Sequence, residues 1–168
     1  IDLHASLIHA KQAASIAGDF LRSNISNKKN VLLSEGRDIK LEVDLETEHL
    51  IIDYLSKHEP YQILGEETGL SGNQTDFYWV IDPLDGTSNY FRDIPISCVS
   101  IALMSKLDPI LGVIYDFNHD ELYYGSSEES ARANEMTISV SSLDNKGEST
   151  LVTGIPAKTN YSDTEFAS

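Results

Sequence analysis

The sequence predicts an α+β domain in which two helices pack on a mainly antiparallel sheet. Three observations lead to this class. Apolar residues recur at three- and four-residue steps in two N-terminal segments, and short β-prone runs follow one another closely after residue 98. Between these regions the apolar run Tyr78-Trp79-Val80-Ile81 opens into a turn crowded with small and acidic residues.

Leu3, Leu7, Ile8, Ala10, Ala14, Ile16, Ala17, Phe20 and Leu21, with His4, Lys11, Gln12, Asp19 and Arg22 between them, predict an amphipathic helix over about residues 2–24. His4 and His9 stand five residues apart, do not share a face, and read as solvated helix residues. The Asn-, Ser- and Lys-rich stretch 24–30 makes a loop. Leu41 and Val43 alternate with Lys40 and Glu42 in a brief extended piece, and Asp44 then stands where a helix N-cap belongs. A second helix follows from Leu45 to Ser56, with Leu45, Ile52 and Leu55 inward, flanked by Leu50 and Ile51, and Glu46, Glu48 and Asp53 outward. Tyr61 to Leu64 is a short strand, and Leu70 to Phe77 a polar loop. Cys98–Leu103, Ile110–Tyr115, Glu121–Tyr124 and Met136–Val140 are further strands whose close spacing indicates antiparallel pairing. His119 beside Asp120 lies in a hairpin turn and reads as exposed; Thr150 to Pro156 gives one more strand with a breaking turn.

The chemistry concentrates in Asp82-Pro83-Leu84-Asp85-Gly86-Thr87-Ser88-Asn89. The Asp82-Pro83 step ends the strand, because proline biases its predecessor to extended geometry and withholds an amide. Gly86 lets backbone approach a ligand, and Thr87-Ser88-Asn89 can open a helical turn with free amides. Two carboxylates three residues apart repel one another, and a divalent cation resolves the repulsion. The Asp85-Gly86 pair alone is explained by turn chemistry, but the whole run is better read as a metal and phosphate site. Glu66-Glu67, between Gly65 and the Thr68-Gly69 pair, forms a second acidic cluster at a strand end.

Composition bounds the function. The chain has 168 residues, enough for one sizeable core, and a formal net charge of -15, which argues against a nucleic-acid polymer or an anionic membrane as partner. The single cysteine, Cys98, excludes an internal disulfide and reads as a small buried residue. No run approaches a membrane span and no signal-peptide pattern opens the chain, so a cytoplasmic setting is expected.

The stretch Asp82-Pro-Leu-Asp85-Gly86-Thr87-Ser-Asn89-Tyr closely resembles the signature of the inositol monophosphatase family, Mg-dependent and lithium-sensitive phosphatases. Gly65-Glu66-Glu67 resembles that family's second motif, and Arg37-Asp-Ile-Lys-Leu-Glu-Val-Asp44-x-x-x-Glu48 its pre-helix segment, with Glu42 in place of the usual Thr. Ser130-Ala-Arg-Ala-Asn134-Glu135 departs from the usual Gly-x-x-x-Asn-Gly turn. The resemblance implies the N-terminal domain of the inositol monophosphatase/fructose-1,6-bisphosphatase fold, here residues 1–156, with 157–168 starting the connection to a second domain. The family's Trp-Asp-x-Ala motif is not found, the only tryptophan being Trp79.

By the same resemblance, Glu66, Asp82 and the Leu84 carbonyl hold a first Mg²⁺, and Asp82 and Asp85 a second, of two or three ions in all. Asp44, Glu66 and Thr87 are the catalytic set that activates a water, while Leu84, Asp85, Gly86 and Thr87 line the substrate phosphate. The implied activity is hydrolysis of a small phosphorylated metabolite: an inositol monophosphate, or a related sugar or nucleotide phosphate. A second reading is a catalytically incomplete metal-binding or regulatory module of the same fold. Homodimerisation is left open.

Overall fold

A computed structural model describes residues 1–27, 29–35, 38–72, 76–150 and 152. The helix α1 (Leu3–Asn24) is capped by Asp2, whose Oδ1 accepts the amide of Ala5 at 3.0 Å. Strands β1 (Val31–Glu35) and β2 (Asp38–Leu41) pair only with each other, and α2 (Glu42–His58) follows at once. Then come β3 (Gln62–Gly65), β4 (Gly69–Ser71), β5 (Phe77–Asp85), the one-turn helix α3 (Thr87–Phe91), β6 (Cys98–Ser105), β7 (Asp108–Asp116), β8 (Glu121–Ser126), β9 (Arg132–Ala133) and β10 (Met136–Thr137). A 3₁₀ turn, Lys146–Glu148, is the last element among the described residues.

The larger sheet runs β10-β9-β8-β7-β6-β5-β3-β4, and every neighbouring pair is antiparallel except β3 and β5. Period-two alternation turns Trp79 and Ile81 of β5, Val99, Ile101 and Leu103 of β6, and Leu111, Val113 and Tyr115 of β7 into one buried layer. From α1, Leu7, Ala10, Ala14, Ala17 and Leu21 meet this layer, and from α2, Ile51 and Leu55 do the same. Gly18 allows the closest approach: a Cβ there would stand 2.3 Å from the Tyr115 ring. Ile114 and Tyr123, pointing the other way, leave the opposite sheet face open, at 47% and 36% exposure.

The α+β architecture and both long helices agree with the sequence reading, and the structure corrects several local expectations. Residues 31–35, for which no strand was expected, pair with β2; of the loop expected over Leu70 to Phe77, Leu70 and Ser71 join Gly69 in β4 and Phe77 opens β5. The extended piece ends at Leu41 and α2 begins at Glu42, so Asp44 is the third residue of the helix and not its N-cap. Its Oδ2 instead reaches back to the Leu41 amide at 2.8 Å, the carboxylate half of a capping box. Pro83 does not end the strand: β5 continues to Asp85, with a register break against β6 between Asp82 and Asp85. The strand expected over Met136–Val140 is two residues long, Met136–Thr137. His9 is half-buried, its ring stacked on His58 at 4.8 Å between centroids. Arg37, the strand expected at 150–156 apart from Thr150 and Val152, and the connection at 157–168 lie outside the described residues.

Candidate active site

The parallel pairing of β3 with β5 creates the site. Because Gly65 lies opposite Ile81 and both strands run the same way, Glu66 and Asp82 leave the sheet at the same edge. The Glu66 amide continues this contact, donating to the Ile81 carbonyl at 3.1 Å. Asp82 and Glu66 are joined through their side chains, and Asp85 adds its charge from three residues on. Burial first, then Glu66 and Asp85, push the Asp82 carboxyl up to about 8.

Asp44 reaches the same cluster from the first turn of α2. Its residue is almost fully buried, and burial, opposed by the Leu41 hydrogen bond and assisted by Glu67 and Glu66, pushes its carboxyl up to about 7. Its Oδ1 is buried with no hydrogen-bond partner among the described residues. The Thr87 hydroxyl donates to the Leu84 carbonyl at 3.0 Å, so in this structure it is not paired with Asp44. The Leu84 amide in turn donates to Asp82 Oδ1 at 3.2 Å, folding the bulged segment on itself.

Gly86 makes the corner. Its φ of +87° is left-handed, and a Cβ would lie 2.7 Å from the Ile96 carbonyl oxygen, so both conformation and space call for glycine. The amides of Gly86 and Thr87 stand ahead of the hydrogen bonds of α3, which begin with Asn89 and Tyr90 donating to the Gly86 carbonyl. Beside the turn lies a cleft of about 390 Å³ bordered by Asp85, Gly86, Cys98, Asp116, His119 and Tyr123.

Two contributors were not visible as such in the sequence. Glu48, expected outward, is completely buried: its Oε2 accepts the Glu67 amide and its Oε1 the Thr68 amide, both at 2.8 Å. The signal available was its spacing: Asp44, Glu48, Ile51 and Leu55 share one helical face. Lys40 donates to Glu67 Oε2 at 2.9 Å, placing a cation beside the acidic loop. Cys98, expected buried, is half-buried with its thiol 3.8 Å from Asp85 Oδ2, and burial followed by Asp85 and Asp82 pushes it up to about 12, far from a nucleophilic thiolate. His119 is exposed as expected and pairs with Asp116 at 2.8 Å, while Asp120 accepts the Tyr115 hydroxyl.

Among the described residues no three His, Cys, Asp or Glu side chains already converge on one point at ligand spacing. The donor set nevertheless fits a hard divalent cation. It consists of oxygens; burial and neighbouring acids raise Asp82, and one buried Asp44 oxygen has no hydrogen-bond partner among the described residues.

The model of the inositol monophosphatase family matches residues 2–167. The chain belongs to the inositol monophosphatase family. A fructose-1,6-bisphosphatase/inositol-1-monophosphatase of Aquifex aeolicus is 34% identical over 152 residues, 89% of this chain and 58% of that protein. A Nus factor SuhB of Xylella fastidiosa is 40% identical over 146 residues, 85% of this chain and 53% of that protein. Among solved structures, the extragenic suppressor protein suhB of Bartonella henselae superposes with a TM-score of 0.79 at 32% identity, covering 83% of this chain and 55% of that one. The inositol monophosphatase of Anabaena gives 0.73 at 36%, covering 85% and 52%. The chain thus spans little more than half the length of these relatives. No helix among the described residues is long and apolar enough to cross a membrane.

Proposed function

We propose that the protein, in its full length, is a Mg²⁺-dependent phosphomonoesterase acting on a small phosphorylated metabolite. The observation that carries this reading is Asp82: a half-buried carboxyl joined to Glu66, with Asp85 three residues on, in a bulged strand end within the matched stretch, where burial first and then Glu66 and Asp85 push it up to about 8. Residues 1–156 serve, on this reading, as the metal-binding half of the site. Relatives named inositol monophosphatase and fructose-1,6-bisphosphatase support the substrate class, and a cleft of about 390 Å³ suits a small ester. A net charge of -15 disfavours a nucleic-acid polymer.

Glu66, Asp82, Asp85 and the Leu84 carbonyl would hold the cations, two or three in number. When bound, such cations would offset phosphate charge and ease the loss of a proton from the nucleophilic water. Asp44, whose buried Oδ1 has no partner among the described residues, would accept a proton from the attacking water as the ester P–O bond breaks and the departing alkoxide takes a proton from solvent, and Glu66 would orient that water. Thr87 holds the Leu84 carbonyl in place. The amides of Gly86 and Thr87 hydrogen-bond the equatorial phosphate oxygens as charge builds there.

The test is phosphate release from a panel of inositol, sugar and nucleotide monoesters and bisphosphates, with Mg²⁺ and with or without Li⁺. Asp82→Asn and Asp85→Asn abolish release while circular dichroism stays unchanged. Retained Mg²⁺-dependent turnover in either variant overturns the site assignment. Cation binding by the wild type without turnover on any ester favours the binding-module reading instead.

A further inference from the structure

The helix that carries Thr87 is five residues long, too short to hold its own shape, so its position depends on what grips it. Three side chains do so. Asn89 Nδ2 donates to the Ile96 carbonyl at 2.8 Å, closing the loop that returns past Gly86. The buried Tyr90 donates its hydroxyl to the Leu21 carbonyl at 2.8 Å, fixing the underside to α1. The third is Lys29, from the loop between α1 and β1. Its side chain is only 10% exposed, and its ammonium donates to the Tyr90 carbonyl at 2.6 Å and to the Asp93 carboxylate, above the face of the Tyr90 ring at 4.8 Å.

A nearly buried ammonium with these partners is a specific arrangement. A lysine is almost never so enclosed unless paired. Asp93 itself sits at a φ of +57°, a left-handed conformation uncommon for aspartate, and Lys29 holds the side chain of that strained residue. Both chain directions away from this clamp lead to the turn. Backwards, Tyr90 lies three residues from Thr87, whose hydroxyl fixes the Leu84 carbonyl. Forwards, Ile94 donates to the Asn89 carbonyl, and Ile96 packs against Gly86 so closely that no Cβ fits between them.

We propose that Lys29 is a positioning residue for the catalytic turn: by clamping the C-terminal end of α3 and Asp93, it fixes Thr87 and, through it, the Leu84 carbonyl. The role rests on the phosphatase reading above, in which that carbonyl and the neighbouring amides face the cation and the phosphate. Lys29 itself touches neither.

The experiment uses full-length protein carrying Lys29→Met, which keeps the stem and removes the donors, and Lys29→Arg, which keeps charge and donors. Gly18→Ala, on α1 and with no side chain in the clamp, serves as a destabilised control. Hydrolysis of p-nitrophenyl phosphate with saturating Mg²⁺ gives kcat and KM, and hydrogen exchange reads the amides of 86–94. For Lys29→Met the expected result is a kcat about tenfold to a hundredfold lower with KM within about threefold, as for a slightly misplaced reacting group. Exchange in 86–94 is expected to accelerate about tenfold while β6 amides stay protected. Lys29→Arg restores kcat to within about threefold of wild type, and Gly18→Ala leaves kcat per folded molecule unchanged. If Lys29→Met keeps wild-type kcat per folded molecule, or if exchange in 86–94 does not change, the proposal is overturned. Should Lys29→Met fail to fold, Asp93→Asn, which weakens the same clamp, is expected to accelerate exchange in 86–94 selectively, and unchanged exchange there overturns the proposal. A wild type that hydrolyses nothing sinks the phosphatase reading, and the exchange data then decide the clamp by themselves.

Discussion

Replacing Glu48 with alanine tests whether the acidic loop is held in place from inside the fold. The carboxylate of Glu48 is fully buried, accepts the amides of Glu67 and Thr68 at 2.8 Å each, and lies against Gly65, where a Cβ would come within 2.5 Å of it. Hydrogen bonds to a charged acceptor contribute about 1.5–3 kcal/mol each, and the two donors are only part-buried and regain some water, so the loss in Glu48→Ala is about 3 kcal/mol. Glu48→Gln keeps one acceptor and turns an NH₂ toward the other amide, so it loses about 1–2 kcal/mol. Against a typical domain stability of about 5–15 kcal/mol both variants still fold. Urea unfolding with a shared m-value measures the loss, and calorimetric titration with Mg²⁺ measures its consequence for Glu66, which is carried by the same loop. The expected order is wild type, Gln, Ala in both stability and cation affinity, with Ala at least about tenfold weaker for Mg²⁺, or about 1.4 kcal/mol. If Glu48→Ala unfolds within about 0.5 kcal/mol of wild type, within the range of an ordinary surface substitution, the clamp does not exist as described.

Other predictions follow from the same contacts. In cation-free protein the Asp82 and Asp44 carboxyls keep protons up to about 8 and about 7, whereas in the unfolded chain they lose them near 3.8. The folded state therefore binds more protons than the unfolded one across that window, and stability falls as pH rises through it. Melting curves from acid to mildly alkaline pH in a chelator should show Tm declining by several degrees, with Mg²⁺ removing the decline; a flat profile in the chelator contradicts the shifted carboxyls. Gly86→Ala, at φ +87° and with its Cβ 2.7 Å from the Ile96 oxygen, should cost about 1–3 kcal/mol in urea unfolding and abolish turnover. Gly18→Ala forces a methyl to 2.3 Å from the Tyr115 ring and should cost about 1–3 kcal/mol of stability while leaving Mg²⁺ affinity unchanged by titration. Tyr90→Phe removes the hydroxyl bound to the Leu21 carbonyl and should lower stability by about 1 kcal/mol on the same assay.

The elements whose faces differ in solvent exposure were legible in the sequence. In α1 the small and apolar residues recur on one side, and in β6 and β7 they alternate, so period alone identified them. The hairpin β1–β2 was not legible as such, because Val31, Leu32 and Leu33 are all exposed and no alternation marks an inner face. Glu48 was misread for the opposite reason: a charged residue on a helix signals solvent unless distant partners are known, and its partners are amides 19 and 20 residues away. The capping carboxylate of Asp44 was recognised but displaced by three positions, since Leu41, which has no polar side chain, occupies the cap.

The deeper limit concerns strand direction. A mainly antiparallel sheet was predictable from short runs and short turns, yet antiparallel neighbours send their ends to opposite edges, and a site made only from such neighbours could not bring Glu66 to Asp82. The parallel β3–β5 pair does so, with Gly65 opposite Ile81 setting the register at which the two carboxyls emerge together. The bulge between Asp82 and Asp85 then keeps the chain at that edge, so that Leu84, Asp85 and Gly86 are delivered beside Glu66 and not carried away along the strand. Local chemistry singled out the acids by type and spacing. One parallel register and one break in pairing turned three acidic stretches of sequence into a single charged cluster.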